Sequence, residues 1–315
     1  MSSEDEKFEK CWDEDANPDP NDPNRIRGHG HAASEIARAV FSFGIYGAFD
    51  RVFYHPNAKV YATPADVTDG CEEVSFLSGD GTQLHGWFLP ARKGIAPLGS
   101  VVHYHGCCNN LTHDLTFFDW LPGEGFNVFA FDYRGYGRSA GKPTRKGIFL
   151  DSLAALDHVR RRDCVDPARL LVFGQSLGGA IALAAVGEGD RDGIVGVAVE
   201  GTFHSYRAVV NSKMSNTRAT YPLASLIVTD QHGPKHTVGT LPPIPLLIFH
   251  GDADKVIAVE HGRALHDLAS EPKRYVEVPG GQHLDTLLAH EGVYRAELLD
   301  FFRRCVGDAG TPQAR

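Results

Sequence analysis

One stretch narrows the possible folds more than any other: Leu170 to Ala185, LLVFGQSLGGAIALAA. A short apolar run of strand character is followed by Gly174-Gln175-Ser176-Leu177-Gly178 and then by a helix-forming segment rich in alanine and glycine. Too few residues separate strand from helix for anything but a sharp turn. The glycines permit such a turn, and Ser176 stands at its crest. A serine N-cap on an ordinary helix is the plainer account of the same residues. The strand before and the small-residue helix after favour an exposed, strained nucleophile.

The rest of the chain repeats this alternation. Strand patterns are expected at 73–78, 83–89, 100–105, 126–133, 170–174, 194–200, 245–250 and 274–278. Helical patterns are expected at 115–121, 147–162, 177–186, 256–268 and 284–304. Gly79-Asp80-Gly81-Thr82 between the first two strands is a hairpin signal, so the sheet should begin antiparallel and continue parallel. Together these patterns predict one α/β domain with a mixed sheet. The segment 203–242 is too long for an ordinary connection and is expected to be an insertion that shapes a pocket. Its Tyr221, Leu223, Leu226 and Ile227 could form an apolar wall for an acyl group, or could simply pack.

A serine hydroxyl needs a base to take its proton, and the base needs an orienting acid. Both follow in order. Asp252-Ala253-Asp254 comes after the strand IPLLIFHG, and His283 comes after RYVEVPGG. In an open parallel sheet ligands bind at the carboxyl ends of the strands, so these ends should converge on one crevice with Ser176. Three carboxylates compete to serve His283: Asp252, Asp254 and Glu200, the last at the end of another strand. Asp252 lies at the tight turn, where aspartate commonly satisfies backbone amides. An oxyanion needs two backbone donors, one just after the nucleophile and one from an earlier strand-end loop. Leu177 and Cys107, in HYHGCC, fit those two places.

Other chemistries find less support. The 31 bases and 40 acids give a net charge of −9, which argues against a nucleic-acid partner. Residues 1–27 hold nine acids and four bases, so −5 of that sum is local. No stretch reaches the roughly 20 apolar residues of a membrane span, and MSSEDEKFEK does not read as a signal peptide. A cytoplasmic location is therefore expected. The six cysteines form no C-x-x-C pair, so reduced thiols and no zinc site are expected, and His29 and His31 lack a further metal ligand nearby. Gly135, Gly137 and Gly141 are spaced one residue too long for a dinucleotide fingerprint, and Gly141-Lys142 lacks the earlier glycine of a phosphate loop. No cofactor is called for.

HYHG, FDYRGYGRSAGKPT, GQSLGG, HGDADKVI and GGQH, in this order, resemble the α/β-hydrolase superfamily, in particular its small esterases, thioesterases and serine-aminopeptidase-like members. The resemblance covers residues 51–306. It implies an α/β-hydrolase fold: an eight-stranded, mostly parallel sheet with an antiparallel second strand, helices on both faces and a short cap insertion. It also implies Ser176 as nucleophile, Asp254 as acid, His283 as base and oxyanion donors at Cys107 and Leu177. Cys107-Cys108 departs from the small or Asn residues usual there, and Ala258 from a common proline. The expected organisation is a disordered acidic tail at 1–32 and a helix with an extended segment at 33–70. The hydrolase domain follows at 71–308 with its cap at about 203–242, and the C-terminus at 309–315 should be flexible. The uncharged stretch 39–49 should pack on the domain rather than lie on a membrane surface. The expected reaction is hydrolysis of a small-molecule ester or thioester through an acyl-enzyme. An aminopeptidase-like amidase and a non-catalytic scaffold are the alternatives.

Overall fold

The computed structural model describes residues 53–67, 70–94, 96–214, 228–287 and 292–307. The expected tail at 1–32, the uncharged stretch 39–49, the apolar residues 221–227 and the C-terminus 309–315 lie outside the described residues.

Eight strands form one sheet: β1 (Glu72–Leu77), β2 (Gln83–Leu89), β3 (Gly99–Tyr104), β4 (Phe126–Asp132), β5 (Leu170–Gln175), β6 (Ile194–Glu200), β7 (Leu246–Gly251) and β8 (Lys273–Val278). Their order across the sheet is β1-β2-β4-β3-β5-β6-β7-β8. β2 runs antiparallel to both of its neighbours, and every other pair is parallel. The hairpin turn between β1 and β2 closes through the Ser78 amide on the Thr82 carbonyl at 2.8 Å. After β3 the chain steps one way to β4, then returns to the other side of β3 for β5. That reversal opens a crevice at the carboxyl ends of β3 and β5, where ligands bind in sheets of this kind.

Helices cover both faces: α1 (Arg145–Arg160), α2 (Leu177–Glu188), α3 (Tyr206–Met214), α4 (Pro234–Thr237), α5 (Glu260–Leu268) and α6 (Val293–Cys305). One core joins Val102, Tyr104, Val172, Val199 and Ile248 of the strands to Ile148 and Leu156 of α1, Ile181 and Leu183 of α2 and Leu265 of α5. The opposite core joins Val101, Leu171, Phe173, Ala198 and Phe249 to Leu298 and Phe302 of α6. Successive strand residues thus face two dry layers, which is why the central strands are continuous apolar runs rather than alternating ones. α2 is buried from Leu177 to Val186. A helix enclosed all round has no polar face, which accounts for its unbroken small and apolar sequence.

Several boundaries differ from the sequence expectation, each for a local reason. α1 begins at Arg145 because Thr144 Oγ1 accepts the Gly147 amide at 3.1 Å. The helix expected at 115–121 is instead two short 3₁₀ turns, Leu115–Phe117 and Leu121–Glu124, the second started by Pro122. Of the helix expected at 284–304, the described residues 284–287 form turns, with Leu284 at φ +60°, residues 288–291 lie outside the described residues, and regular helix runs from Val293 after Gly292 at φ +79°. The insertion between β6 and β7 contributes α3 and α4. Arg134, from the FDYRGYG motif, binds Asp80 at the hairpin and Asp151 on α1, so that motif ties the antiparallel edge to the helical layer. Phe53 and Tyr54 are buried in the core. Cys71, Cys164 and Cys305 are free thiols, while Cys108 is disulfide-bonded, against the expectation of reduced cysteines. Among the described residues no helix is long and apolar enough to cross a membrane.

Candidate active site

Ser176 sits between β5 and α2 with φ +51° and ψ −121°, a backbone state costly for a residue with a side chain. Its side chain makes no capping bond to α2, so the N-cap account of this serine does not hold. The turn is secured from β6: the Ser176 amide donates to the Glu200 carbonyl at 2.9 Å, and Thr202 Oγ1 donates to the Ser176 carbonyl at 2.7 Å. A Cβ at Gly174 would stand 2.6 Å from the Gly178 carbonyl oxygen, and one at Gly178 would stand 2.1 Å from that of Tyr104. Glycine is therefore required on both sides of Ser176 by the close approach of backbone, β3 included.

His283 lies on the turn after β8. Its Nε2 is 3.0 Å from Ser176 Oγ, and its Nδ1 is 2.7 Å from Asp254 Oδ2. Burial pushes the Asp254 carboxyl up, but His283, His250 and the Ile257 amide outweigh it and hold the group well below the usual carboxylate range. An ionised carboxylate only accepts, so His283 carries its proton on Nδ1 and turns the Nε2 lone pair toward the serine hydroxyl. Asp254 Oδ1 accepts the Val256 and Ile257 amides, both at 2.8 Å. The Asp254 carboxylate thus also fixes the backbone at 256–257, and α5 begins at Glu260 rather than at 256.

The rival carboxylates are occupied elsewhere. Asp252 is exposed, and its Oδ1 accepts the Gly280 amide at 2.7 Å. Glu200 is fully buried and binds Gln175 and Thr286 rather than the His283 ring. Leu177 is the first residue of α2. Gly106, just before Cys107, approaches Ser176 so closely that a Cβ on it would lie 3.8 Å from the Ser176 Cβ. His105 Nδ1 donates to the Gly106 carbonyl at 2.8 Å. In a trans peptide the N–H points opposite to the C=O, so this bond fixes the direction of the Cys107 amide. The Cys107 carbonyl accepts from the His55 amide at 3.0 Å and from the Tyr136 hydroxyl at 2.8 Å, which anchors the next peptide. The structure thus brings Ser176, His283, Asp254, Cys107 and Leu177 to one edge of the sheet. Tyr136 and Thr202 were not singled out by the sequence, because their partners, Cys107 and Ser176, lie far away along the chain; for His105 only its position inside HYHG hinted at a role.

Comparison with known proteins identifies the family. The family of serine aminopeptidases, S33, matches residues 95–230. The uncharacterized protein YfhR of Escherichia coli (strain K12) is 39% identical over 252 residues, covering 79% of this chain and 85% of that protein. The α/β hydrolase domain-containing protein WAV2 of Arabidopsis thaliana is 30% identical over 260 residues, 77% of this chain and 82% of that protein. The chain belongs to the α/β-hydrolase superfamily. Its fold is also similar to that of a Pyrococcus furiosus esterase, with a TM-score of 0.64 at 20% identity, covering 81% of this chain and 98% of the other. Within the α/β-hydrolase sheet the observed strand order puts the loops after β3, β5, β7 and β8 on the same edge. Among the described residues no group of three or more His, Cys, Asp or Glu side chains is arranged to hold a metal ion.

Proposed function

We propose that this α/β hydrolase is a serine hydrolase that cleaves carboxylic esters or thioesters through an acyl-enzyme on Ser176. The observation that carries the reading is the unbroken hydrogen-bonded series from Asp254 through His283 to Ser176 at 2.7 Å and 3.0 Å. Ser176 Oγ attacks the carbonyl carbon while its proton passes to His283 Nε2. The imidazolium is stabilised by the Asp254 carboxylate, and the oxyanion is met by the backbone N–H groups of Cys107 and Leu177. As the tetrahedral species collapses, His283 protonates the departing alcohol or thiol. Water, deprotonated by His283, then attacks the acyl-serine, and the acid leaves. No step calls for a metal or cofactor.

The match to the serine aminopeptidase family raises a second reading, hydrolysis of an N-terminal peptide bond. A substrate amine would need a carboxylate, and Asp230, in the insertion, is already engaged by Ser205 Oγ at 2.9 Å and 3.0 Å and by the Arg207 amide at 3.2 Å. An ester is therefore favoured. Purified protein should be assayed on p-nitrophenyl esters of graded acyl length and on aminoacyl p-nitroanilides. Ester turnover that vanishes in Ser176→Ala is expected. Preferential anilide hydrolysis would move the assignment to a peptidase, and ester hydrolysis that survives in Ser176→Ala would overturn the reading altogether.

A further inference from the structure

Ser176 and His283 stand 107 residues apart on two separate loops, and the bond between them is one contact of 3.0 Å. Something else must hold the two loops in register. Glu200, the last residue of β6, touches both with opposite oxygens. Its Oε2 accepts Gln175 Nε2 at 2.6 Å, from the residue just before the nucleophile. Its Oε1 accepts the Thr286 amide at 3.1 Å and also the Thr286 hydroxyl, from the turn that carries His283. Its carbonyl takes the Ser176 amide. The side chain is completely buried.

The bonds run in one direction. Gln175 gives its amide hydrogen to Glu200, so its Oε1 must accept from His103 Nε2, 3.0 Å away. Every donor in the set, from His103 through Gln175 on one side and from Thr286 on the other, ends on the Glu200 carboxylate. An amide in its place would set an N–H against a donor. Relief would require Gln175 to turn over and His103 to move its proton to Nδ1, a buried atom with no partner. A glutamine at 200 therefore keeps the volume of the side chain but loses one of its two attachments.

We infer that Glu200 is a positioning residue, whose carboxylate clamps the Ser176 turn to the His283 turn and thereby sets the distance across which the serine proton is transferred. The inference rests on the serine hydrolase reading above. It differs from the acid role, which belongs to Asp254, since Glu200 acts on the two loops and not on the imidazole. A group that fixes reacting geometry affects the chemical step more than substrate binding.

The test uses Glu200→Gln, Thr286→Val and Thr286→Ser in the full chain, with folding checked by circular dichroism. The readouts are kcat and KM on an activated ester and the rate of inactivation by a fluorophosphonate. Glu200→Gln and Thr286→Val should each lower kcat and the inactivation rate by about ten- to hundred-fold, with KM changed by less than about three-fold. Thr286→Ser retains the hydroxyl and should recover to within about three-fold of the parent. The double variant should be little worse than the worse single one, because both changes break the same clamp. Folded variants that keep kcat within about two-fold, that raise KM alone, or a Thr286→Ser as slow as Thr286→Val, would overturn the inference. Should Glu200→Gln fail to fold, the Thr286 pair decides the matter. Activity that persists in Ser176→Ala would instead remove the underlying reading. If Ser176→Ala is inactive while the Glu200 and Thr286 variants match the parent, the clamp alone is disproved.

Discussion

Two buried groupings of histidine and aspartate lie at the carboxyl edge of the sheet, and they do different things. In the first, His283 is held between Asp254 at 2.7 Å and Ser176 at 3.0 Å. In the second, at the ends of β3 and β4, His105 Nε2 lies 3.7 Å and His85 Nδ1 3.8 Å from the oxygens of Asp132. Those are too long for hydrogen bonds, and both ring nitrogens of His85, Nε2 of His105 and Oδ2 of Asp132 lack partners. What the second grouping does bond is backbone: His105 orients the Gly106 carbonyl, and Asp132 Oδ1 accepts the Leu111 amide at 2.8 Å. Residue type alone therefore does not mark an active site. An imidazole becomes a base when it is caught between an acceptor and a nucleophile at bonding distance. When it is not, as with His105, it shapes the loop that carries Cys107.

The widest separation between the two should come from removing one charge from each. Asp254→Asn favours the wrong imidazole tautomer and should lower turnover on an activated ester by about 10⁴. Asp132→Asn retains an acceptor for the Leu111 amide and should cost less than about ten-fold. Similar losses in the two variants would erase the distinction drawn here.

Acid should separate buried histidines from the ionised carboxylate. Burial pushes His103 down to about 4, and burial together with His204 pushes His261 down to about 4. In the unfolded chain these imidazoles take up protons near pH 6.5, which the folded chain refuses until about pH 4. Stability should therefore fall as pH drops through that window, by up to about 3 kcal/mol for the fully buried His103. Asp254, held below its usual range, stabilises the fold above about pH 3.9, and that contribution is lost only at lower pH. Urea unfolding across the window should show a shallower pH slope in His103→Gln than in the parent. An unchanged slope would contradict the assignment of His103 as a buried neutral base.

The smallest effect is expected two residues from the acid. Asp252→Asn can still accept the Gly280 amide with its amide oxygen, so turnover should stay within about two-fold and stability within about 1 kcal/mol. A collapse of activity in this variant, with Asp254→Asn near normal, would exchange the roles of the two aspartates.

Much of this was legible from the chain because the relevant constraints are local. Strands buried on both faces appear as apolar runs, and Gly174 and Gly178 mark the place where backbone from neighbouring segments comes too close for a Cβ. The order of Ser176, Asp254 and His283 survives in sequence even though their meeting does not. What escaped is set by long-range pairing. Nothing near β4 announces that it inserts between β2 and β3, and nothing near Thr286 announces Glu200 as its partner. The helical pattern after His283 looked continuous because periodicity records apolar spacing and not φ, so the left-handed Leu284 was invisible. Likewise the onset of α5 was read too early: Val256 and Ile257 suit a helix by their spacing, but regular helix starts only at Glu260.

The central claim is that the Asp254-His283 pair activates one hydroxyl, at Ser176. Treating the native protein with a fluorophosphonate probe and mapping the modified peptide tests it most directly. The account predicts stoichiometric modification at Ser176, loss of labelling in a folded Ser176→Ala, and strong slowing in Asp254→Asn. Labelling that maps to Cys107, or that persists undiminished in Ser176→Ala, would contradict it.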